Sequence, residues 1–490
     1  MRLEDVNFLK RGGKWPHDPD RMDRYNHNER LFRGDQDTVY KEEFLKRLLR
    51  KDEDIMVEVV SNFPGAVTKL FTDLLFGERP NFLVSDQEPA KQKWVDSFVA
   101  FNRLHRQNIK AALAQSYRGD AIYKLRLVEG EEHARVQVVP AKFWFPLTNL
   151  TDITDKIGDV IAYEVKRDQP RNQKQIFVVA EIHLPGKILN QVWRVANGKF
   201  AEQVPLEEFY PEDPPAEEVE TGIDKSLVFV VPNMEIDDSP FGIDDYEEAD
   251  TLFRELSVRL SQPSRILDKH SDPNMYGPPI MEMDDDGKGT VKAGGKYIEV
   301  QEGERPPGYL AWDGQLEANW KYIEQILKQL YIVTDTNEAA FSLMTGGSIP
   351  SGAAMKRLLM RPLARTNRKR EFFDDILTEM LQTAAEFERA NGRTNVPEEV
   401  KTEIEWQDGL PSDEKEDAEV EQIRTGGKPT SSVKSAIRRL DGGSEESIQA
   451  ELEALQEEEA ASNPPISLPA GAFNFGETGE GEVDDGGDDE

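Results

Sequence analysis

Two long helical segments around a short Gly- and Pro-rich segment most constrain what this chain can fold into. Apolar residues recur with helical spacing over 239–270, and Ser239-Pro240 predicts an N-cap at Ser239 followed by proline at the first helical position. The second segment carries a seam with intervals of four, three, four and three residues, formed by Leu316, Trp320, Ile323, Leu327 and Leu330. A seam of this kind is typical of helices that pack lengthwise. We therefore expect two paired helices that flank residues 272–313.

The enclosed segment is predicted to form a small β hairpin unit. Its apolar runs are Ile280–Met283 and Tyr297–Val300, and the turn-forming sequence Asp284–Gly289 lies between them. The acidic turn also resembles part of a calcium-binding loop, but no Glu follows six residues after Gly287. A hairpin turn is the favoured interpretation.

The segment 1–235 changes from a helical period to a strand period. Helical spacing continues to Tyr117, and Ala90–Tyr117 is expected to be one helix. Alternating patterns then predict strands at 121–128, 134–140, 160–167, 175–184, 192–195 and 227–231. This order predicts an α+β domain with a mostly antiparallel sheet.

The chain after the seam is predicted to contain a loop, a long helix and a small helical unit. The loop spans 334–351, and the long helix spans Gly352–Asn391 with a kink at Pro362. A strand at Lys401–Trp406 follows. Three further helices are predicted at Asp413–Arg424, Ser431–Leu440 and Ser444–Ala461.

The chain is strongly acidic, with 60 Lys and Arg against 94 Asp and Glu and a net charge of −34. Such a charge argues against a general basic surface that grips nucleic acid, because cations supply most of that affinity. The segment 443–490 carries fifteen of these acids and no Lys or Arg, and its Gly- and acid-rich end is predicted to be disordered.

The sequence carries no signature of an enzyme, a cofactor site or a metal site. Cysteine is absent, so disulfides and thiolate chemistry are excluded. No phosphate-binding loop is complete, and no His-Glu-x-x-His frame occurs. His17, Asp18, Asp20 and His27 could offer metal ligands, but loop composition explains them better. The chain has no signal peptide and no apolar run of membrane length, so we expect a soluble protein made in the cytoplasm.

One basic run stands out in this acidic chain. Seven cations lie in the short segment from Lys356 to Arg370. Its helical face, the basic stripe, is predicted to comprise Lys356, Arg357, Arg361, Arg365 and Arg368. Its simplest interpretation is a solvated face, or a stripe that pairs with acids on neighbouring helices or subunits. The alternative is a face that contacts phosphates.

The order of elements resembles that of portal proteins of tailed double-stranded DNA bacteriophages. The resemblance rests on Ser239-Pro240-Phe241-Gly242, the β insert, the seam helix and the kinked basic helix that begins at Ser351. In the first half it rests on Phe76-Gly77-Glu78-Arg79-Pro80 and on Gly119-Asp120-Ala121-Ile122-Tyr123. It covers roughly residues 20–425.

The resemblance implies a portal-type division of the chain. The regions are an α+β wing in 1–235, a first stem helix in 236–271, a clip in 272–313, a second stem helix in 314–333, a tunnel loop in 334–351, a kinked helix that returns to the wing in 352–412, a crown in 413–461 and a disordered acidic tail in 462–490.

It also implies the function and the site residues. Portal proteins form a ring, usually of twelve subunits, through which double-stranded DNA passes during packaging and ejection. Residues implied to face DNA in the tunnel loop are Asn337, Ser342, Met344, Thr345, Gly346, Gly347 and Ser348. Residues implied to dock partners on the clip are Lys288, Lys292, Lys296 and Tyr297.

The implied partners are the large terminase, whose ATPase would supply the energy, a head–tail adaptor, and the scaffolding and major capsid proteins. No membrane is involved. The ring would lie at one capsid vertex of the virion, after assembly in the host cytoplasm. The alternatives are another head–tail structural protein of the virion, the portal of a gene transfer agent, or a nuclease, which would need an acidic metal site that the sequence does not identify.

Overall fold

The computed structural model comprises two compact units, Met1–Leu410 and Pro411–Glu490. The residues that it describes are 3, 7–36, 38–41, 59–169, 173–271, 275–277, 282–283, 289–290, 297–299, 308–309, 316–343, 352–407, 414–426, 429–440 and 445–462. Helices and strands are mixed in the first unit, which agrees with the α+β class expected from the sequence.

Helices come first, as the helical period predicts. They are α1 (Pro19–Arg33), α2 (Phe63–Phe76), α3 (Pro89–Asn102) and α4 (Leu104–Arg118). Asp18 caps α1 by accepting a hydrogen bond from the Arg21 N–H at 3.3 Å. Asn62 caps α2 in the same way through the Gly65 N–H at 3.0 Å. Both caps satisfy N–H groups that have no partner within the helix.

The single helix expected over Ala90–Tyr117 is in fact two helices. Arg103 separates α3 from α4 with a φ of 47°, in the left-handed region that ends a helix. The Asn102 side chain stabilises the break, donating to the Ala134 carbonyl at 3.0 Å and accepting from the Val136 N–H at 2.7 Å. The apolar spacing continues across the break, so the period alone predicts one helix.

Antiparallel strands follow these helices. Those predicted from the sequence are β2 (Asp120–Arg126), β3 (Arg135–Val139), β5 (Asp152–Gln169), β6 (Gln173–Leu184), β7 (Lys187–Ala196) and β10 (Val228–Pro232). Strands not predicted are β4 (Trp144–Asn149), β8 (Lys199–Val204), β9 (Glu218–Glu220) and β1 (Asn81–Val84), which lies between α2 and α3. The largest sheet has the order β4-β5-β6-β7-β8, with β9 paired to β7, and a three-stranded sheet has the order β10-β2-β3. A four-residue helix, α5 (Leu206–Phe209), lies between β8 and β9.

The two long helices, α6 (Asp250–Ser271) and α7 (Leu316–Val333), pack against each other. Phe253 and Leu256 of α6 are buried in one cluster with Ile323, Ile326 and Leu330 of α7. Trp320 departs from the predicted seam, because 49 % of its surface is exposed. The prediction that Trp320 packs in this seam is wrong.

The first long helix begins later than the sequence predicts. α6 starts at Asp250, and Ser239 accepts a hydrogen bond from the Phe241 N–H within a local turn instead of capping a helix. The Asp245 N–H donates to the Ser116 carbonyl at 2.8 Å, and the Gly242 N–H donates to Asp120 at 3.0 Å. These N–H groups are bonded across the structure, so they cannot form the i→i−4 bonds of a helix.

The β insert forms a different pairing from the predicted one. β11 (Met275–Gly277) pairs in parallel with β14 (Tyr297–Glu299) and antiparallel with β15 (Gly308–Tyr309). β12 (Glu282–Met283) pairs antiparallel with β13 (Gly289–Thr290). Residues 284–288 of the predicted acidic turn lie outside the described residues. The Tyr297 strand has a different partner from the predicted one, because a short apolar run carries little information about its partner.

The chain returns to the first domain after the two long helices. α8 (Gly352–Leu358) and α9 (Met360–Ala390) precede β16 (Thr402–Glu405). Phe373, Leu377 and Leu381 of α9 are fully buried in the same cluster as Phe98 and Tyr123. β16 lies where the sequence predicts a strand, and it pairs with β1. The core of the segment 1–235 is therefore completed by residues far along the chain.

The second unit contains three helices in its described part: α10 (Glu414–Thr425), α11 (Val433–Leu440) and α12 (Glu445–Ser462). Glu421 of α10 accepts hydrogen bonds from Arg439 of α11 at 2.7 and 2.9 Å. Ile437 and Ile448 are its large buried apolar residues within the described part. Beyond Ser462, the predicted acidic tail lies outside the described residues.

Candidate functional site at the start of the predicted tunnel loop

The first part of the predicted tunnel loop is held against the helices beside it. We call residues 334–343, which the structure describes, the loop foot. Thr334 donates to the Leu330 carbonyl of α7 at 2.7 Å, and the Thr336 N–H donates to the Tyr331 carbonyl at 2.9 Å. Asp335 between them has a φ of 54°. The Leu330 carbonyl also accepts from the Thr334 N–H at 2.9 Å. The bond from Thr336 caps the end of α7, because the Tyr331 carbonyl there lacks a helical partner.

Asn337 joins the loop foot to the kinked helix. The proline at position 362 has no N–H, so the Leu358 carbonyl four residues earlier has no helical donor. The Asn337 side chain donates a hydrogen bond to that carbonyl at 2.5 Å. Its own oxygen accepts from the Ala340 N–H at 2.9 Å. The kink predicted at Pro362 is observed as a break at Leu359, between α8 and α9.

An aromatic contact holds the other end of the loop foot. Phe341 lies in a short 3₁₀ turn, and its ring centroid is 5.4 Å from that of Phe63 and 6.1 Å from that of Tyr331. It packs against a buried cluster that includes Phe71 and Leu359. Phe341 thus anchors the described part of the loop to the first unit, although Leu343 beyond it is 59 % exposed.

Asp335 is the centre of a charge cluster with the basic stripe. Its carboxylate accepts from Arg361 at 2.7 Å, from Arg368 at 3.2 Å and from Arg365 at 3.5 Å. The spacing of the three arginines places them on one face of α9, as the sequence predicts. Within the subunit that face meets an acid at the end of α7.

A second carboxylate, Asp245, pairs with the inner side of the stripe. It is fully buried and accepts from Arg365 at 2.6 Å, from Lys369 at 2.9 Å and from Ser116 at 2.6 Å. Asn233 donates a further hydrogen bond at 2.8 Å. These four donors give the buried charge the partners that it requires away from water.

Burial and ion pairing have opposite effects on the pKa values of Asp245 and Lys369. Burial disfavours the charged carboxylate, but Lys369 and Arg365 hold the pKa of Asp245 well below its ordinary value. Burial lowers the pKa of Lys369 to about 8, although Asp245 favours its charged form. Both groups are charged at neutral pH, and they fix the α9 backbone beside the loop connecting β10 to α6.

The remaining predicted site residues fall in different places. Lys356 and Arg357 are exposed on α8, before the break, so the stripe spans two helices. Ser342 has a φ of 57°, and Tyr297 begins β14. The other predicted loop and clip residues lie outside the described residues: Met344, Thr345, Gly346, Gly347, Ser348, Lys288, Lys292 and Lys296.

Sequence reasoning missed the acids that organise this cluster. Asp245 and Asp335 are two of 94 acidic residues, and no local pattern distinguishes them. The one available signal was the stripe itself, because seven clustered cations in a folded chain need acidic partners nearby. The stripe therefore predicts that acidic partners lie nearby, but it does not identify which acidic residues they are.

A second buried polar cluster lies away from the loop foot. His133 contacts Ser97 at 2.8 Å and the fully buried Glu388 at 3.3 Å. Trp94 also donates to Glu388, at 3.1 Å. Ser, His and Glu occur together in some hydrolases, but Ser97 lies in the interior of α3, where its N–H is bonded within the helix and cannot stabilise an oxyanion. The cluster ties α3 and the start of β3 to α9.

Neither a metal-binding group nor a membrane-spanning helix is found in the described part of the chain. None of its His, Asp and Glu side chains form a group of three or more that could hold a metal ion. None of its helices is long and apolar enough to cross a bilayer. His27, a metal candidate in the sequence, contacts Asp250 at 2.8 Å, and His17 stacks on Phe8.

Comparison with known proteins places the chain beside one family. The model of the family described as "Phage portal protein, SPP1 Gp6-like" matches residues 12–465. No curated protein matches the chain.

Among solved structures, similar chains come from gene transfer agent particles. One, from the virion of a native gene transfer agent particle, is 9 % identical with a TM-score of 0.43, and another, from the neck of an empty particle computed with C6 symmetry, is 10 % identical with the same score. A third, from the neck of a native particle computed with C12 symmetry, is 9 % identical with a TM-score of 0.38. In each case the match covers 77 % of this chain and 89 % of the other.

Proposed function

The chain belongs to the SPP1 Gp6-like family of phage portal proteins, and we propose that twelve copies form a ring at one capsid vertex through which double-stranded DNA passes. The observation that carries this proposal is the family match over residues 12–465 of a 490-residue chain. The match confirms the family predicted from the sequence. The ring, its channel and its partners are the proposal.

The paired helices support a stem that lines the channel. α6 and α7 enclose the β insert and pack through Phe253, Leu256 and Ile323. α7 leaves large side chains on its surface: 49 % of Trp320, 45 % of Tyr322 and 50 % of Ile332 are exposed. A ring of identical subunits needs two different surfaces on each copy that bind each other. These residues are spread around the side of α7 that faces away from α6, and we assign that side, with Ile332 near its centre, to the contact with the neighbouring subunit.

The β insert is the proposed docking site for the large terminase during packaging and for the head–tail adaptor afterwards. It leaves and rejoins the chain between the ends of two long helices, which would place it at one end of the stem. Scaffolding and major capsid proteins would contact the outer domain formed by residues 1–235 and the returning α9. No catalysis is assigned to the ring, and the terminase ATPase would supply the energy.

The net charge of −34 supports passage of DNA without tight binding. A channel lined with cations would hold phosphates through the release of counterions. Here Arg361, Arg365 and Arg368 already pair with Asp335. The loop residues Met344 to Ser348 are the proposed DNA-facing residues, which would narrow the channel.

Electron microscopy of the purified protein tests the ring directly. We expect rings with a central hole of about 20–40 Å, wide enough for a duplex whose major groove alone is ~12 Å across. Mass photometry of the same sample should give a mass near twelve times the 55.6 kDa chain. Monomers or compact dimers at every concentration would contradict the proposal.

A further inference from the structure

The basic stripe divides into an inner and an outer part. The inner residues, Arg365 and Lys369, have side chains that are 14 % and 2 % exposed and are held by the buried Asp245. The outer arginines, Arg361 and Arg368, have side chains that are 51 % and 62 % exposed. Their shared ion-pair partner is Asp335, whose side chain is 25 % exposed.

Cations exceed acids in this cluster. In the described contacts, the two inner and the two outer cations share only two carboxylates, those of Asp245 and Asp335. Glu248 adds a longer-range attraction to Arg365, which still leaves an excess of positive charge. Because the excess is exposed at Arg361 and Arg368, the cluster can accept a further anion from solvent. Guanidinium groups pair with phosphate in the same forked geometry as with carboxylate.

From this geometry we propose that Asp335 competes with DNA phosphates for Arg361 and Arg368, and so limits how tightly each subunit holds the duplex. The inference rests on the proposed passage of DNA through the ring. Without DNA, the two outer arginines pair with Asp335. When a phosphodiester approaches, either arginine can exchange its partner, while Arg365 and Lys369 stay on Asp245 and keep α9 in place.

The competition has a direct energetic consequence. An arginine that already pairs with a carboxylate must give up that interaction before it binds a phosphate, so each DNA phosphate is bound less tightly. Exposed ion pairs are weak in water, which makes the exchange easy. With Asp335 as a competitor, the outer arginines can still contact DNA phosphates, but they bind them too weakly to stop the duplex from moving.

The test removes the competing charge without straining the backbone. Asp335→Asn keeps the shape of the side chain, and Asn tolerates the positive φ of this position. Binding of a fluorescent blunt-ended DNA duplex to full-length rings is measured by anisotropy over a series of salt concentrations. We expect several-fold tighter binding than in the wild type. The slope of log K against log salt should become more negative by about 0.9 for each additional phosphate that the ring neutralises.

Two further variants make the result specific. Asp375→Asn removes the same charge from an exposed position on α9 and should bind DNA like the wild type. Adding Arg361→Gln and Arg368→Gln to Asp335→Asn should abolish the increase in affinity. The inference would be overturned if Asp335→Asn raised the affinity for DNA no more than Asp375→Asn does. It would also be overturned if the higher affinity remained after both arginines were replaced.

The outcome is separable from that of the proposed function, because rings are counted by microscopy in each sample. Absence of rings in the wild type contradicts the portal ring itself, whereas normal rings with unchanged DNA binding contradict only the role of Asp335. If Asp335→Asn does not form rings, a second variant tests the inference: Arg361→Gln combined with Arg368→Gln, with Asp335 unchanged. The inference requires that this variant bind DNA more weakly than the wild type at low salt. Unchanged binding would refute the exchange of Asp335 for a phosphate at these arginines.

Discussion

At the scale of single residues, Asp120 shows how a buried acid couples this fold to pH. It lies at the start of β2 with no exposed surface, and it contacts the Tyr25 hydroxyl at 3.2 Å and the Gly242 N–H at 3.0 Å. Burial raises its pKa from 3.8 to about 7. The carboxyl group is therefore neutral in the folded protein at pH values where it is ionised in the unfolded chain.

The sign of the pH effect follows from this raised pKa. The contribution of Asp120 to stability is fully present below about pH 4 and is lost as the pH rises towards 7. Asp120→Asn does not titrate, and its amide can still accept from Gly242 and donate to Tyr25. Its free energy of unfolding, relative to the wild type, should rise by about 3 kcal/mol between pH 4 and pH 7.

Urea denaturation followed by tryptophan fluorescence at several pH values measures this difference. Asp375→Asn, at an exposed position of α9, is the matched control and should show no comparable change. A difference between Asp120→Asn and the wild type that stays constant with pH would show that Asp120 is ionised throughout.

At the scale of elements, the break between α8 and α9 depends on a pair of residues that are distant in sequence. Pro362 removes the donor for the Leu358 carbonyl, and Asn337 replaces it. Asn337→Ala removes this bond and the one accepted from the Ala340 N–H. It should destabilise the protein by about 1–3 kcal/mol, the usual net contribution of two hydrogen bonds.

A double-mutant cycle isolates this link. Pro362→Ala restores an N–H at position 362, so the cost of Asn337→Ala should be smaller in that background. Both free energies come from urea denaturation, with the exposed Asn367→Ala on α9 as the control for loss of an amide. Equal costs in the two backgrounds would show that the two residues act independently.

The elements also show what the sequence can and cannot predict. Helical and strand periods place α7, β2, β6 and α9 nearly where they lie, because each has one buried face of regular spacing. The break at Arg103 and the late start of α6 at Asp250 were not predicted. Both depend on hydrogen bonds to residues elsewhere in the fold, such as Asn102 to Ala134 and Asp245 to Ser116.

The candidate site was predictable only on its basic side. Arg361, Arg365 and Arg368 share a face because of their spacing, which the sequence contains. Their partners Asp245 and Asp335 come from two loops, one before α6 and one after α7, and only the tertiary fold brings these loops to α9.

At the scale of the whole molecule, we expect the β insert to be separable from the rest of the first unit. Among the residues whose side chains are described, the buried contacts between α6 and α7 come from Phe253, Leu256, Ile323 and Leu330 of the two helices themselves. Replacing 272–315 with a short Gly-Ser linker should leave the midpoint of urea unfolding and the helical circular dichroism signal of the remaining helices unchanged.

A matched substitution on the helices calibrates this result. Leu330→Ala removes a fully buried side chain from the same helix pair and should cost about 2–5 kcal/mol. If replacing the insert lowers stability by as much as Leu330→Ala does, the insert is part of the folding unit.

The helix pair on either side of the insert has an evolutionary consequence. α6 carries the chain out to the insert and α7 carries it back, and Asn319 of α7 donates to the Arg259 carbonyl of α6 at 3.4 Å. Asn319 lies three residues after the start of α7, whereas Arg259 lies twelve residues before the end of α6. Leu256 and Ile323, which are buried between the helices, lie on the side of this contact away from the insert. We therefore expect that an insert of different length or sequence can be exchanged without moving them. Under the docking role proposed for the insert, a lineage would acquire a new partner by changing this one segment, while the rest of the chain keeps its packing.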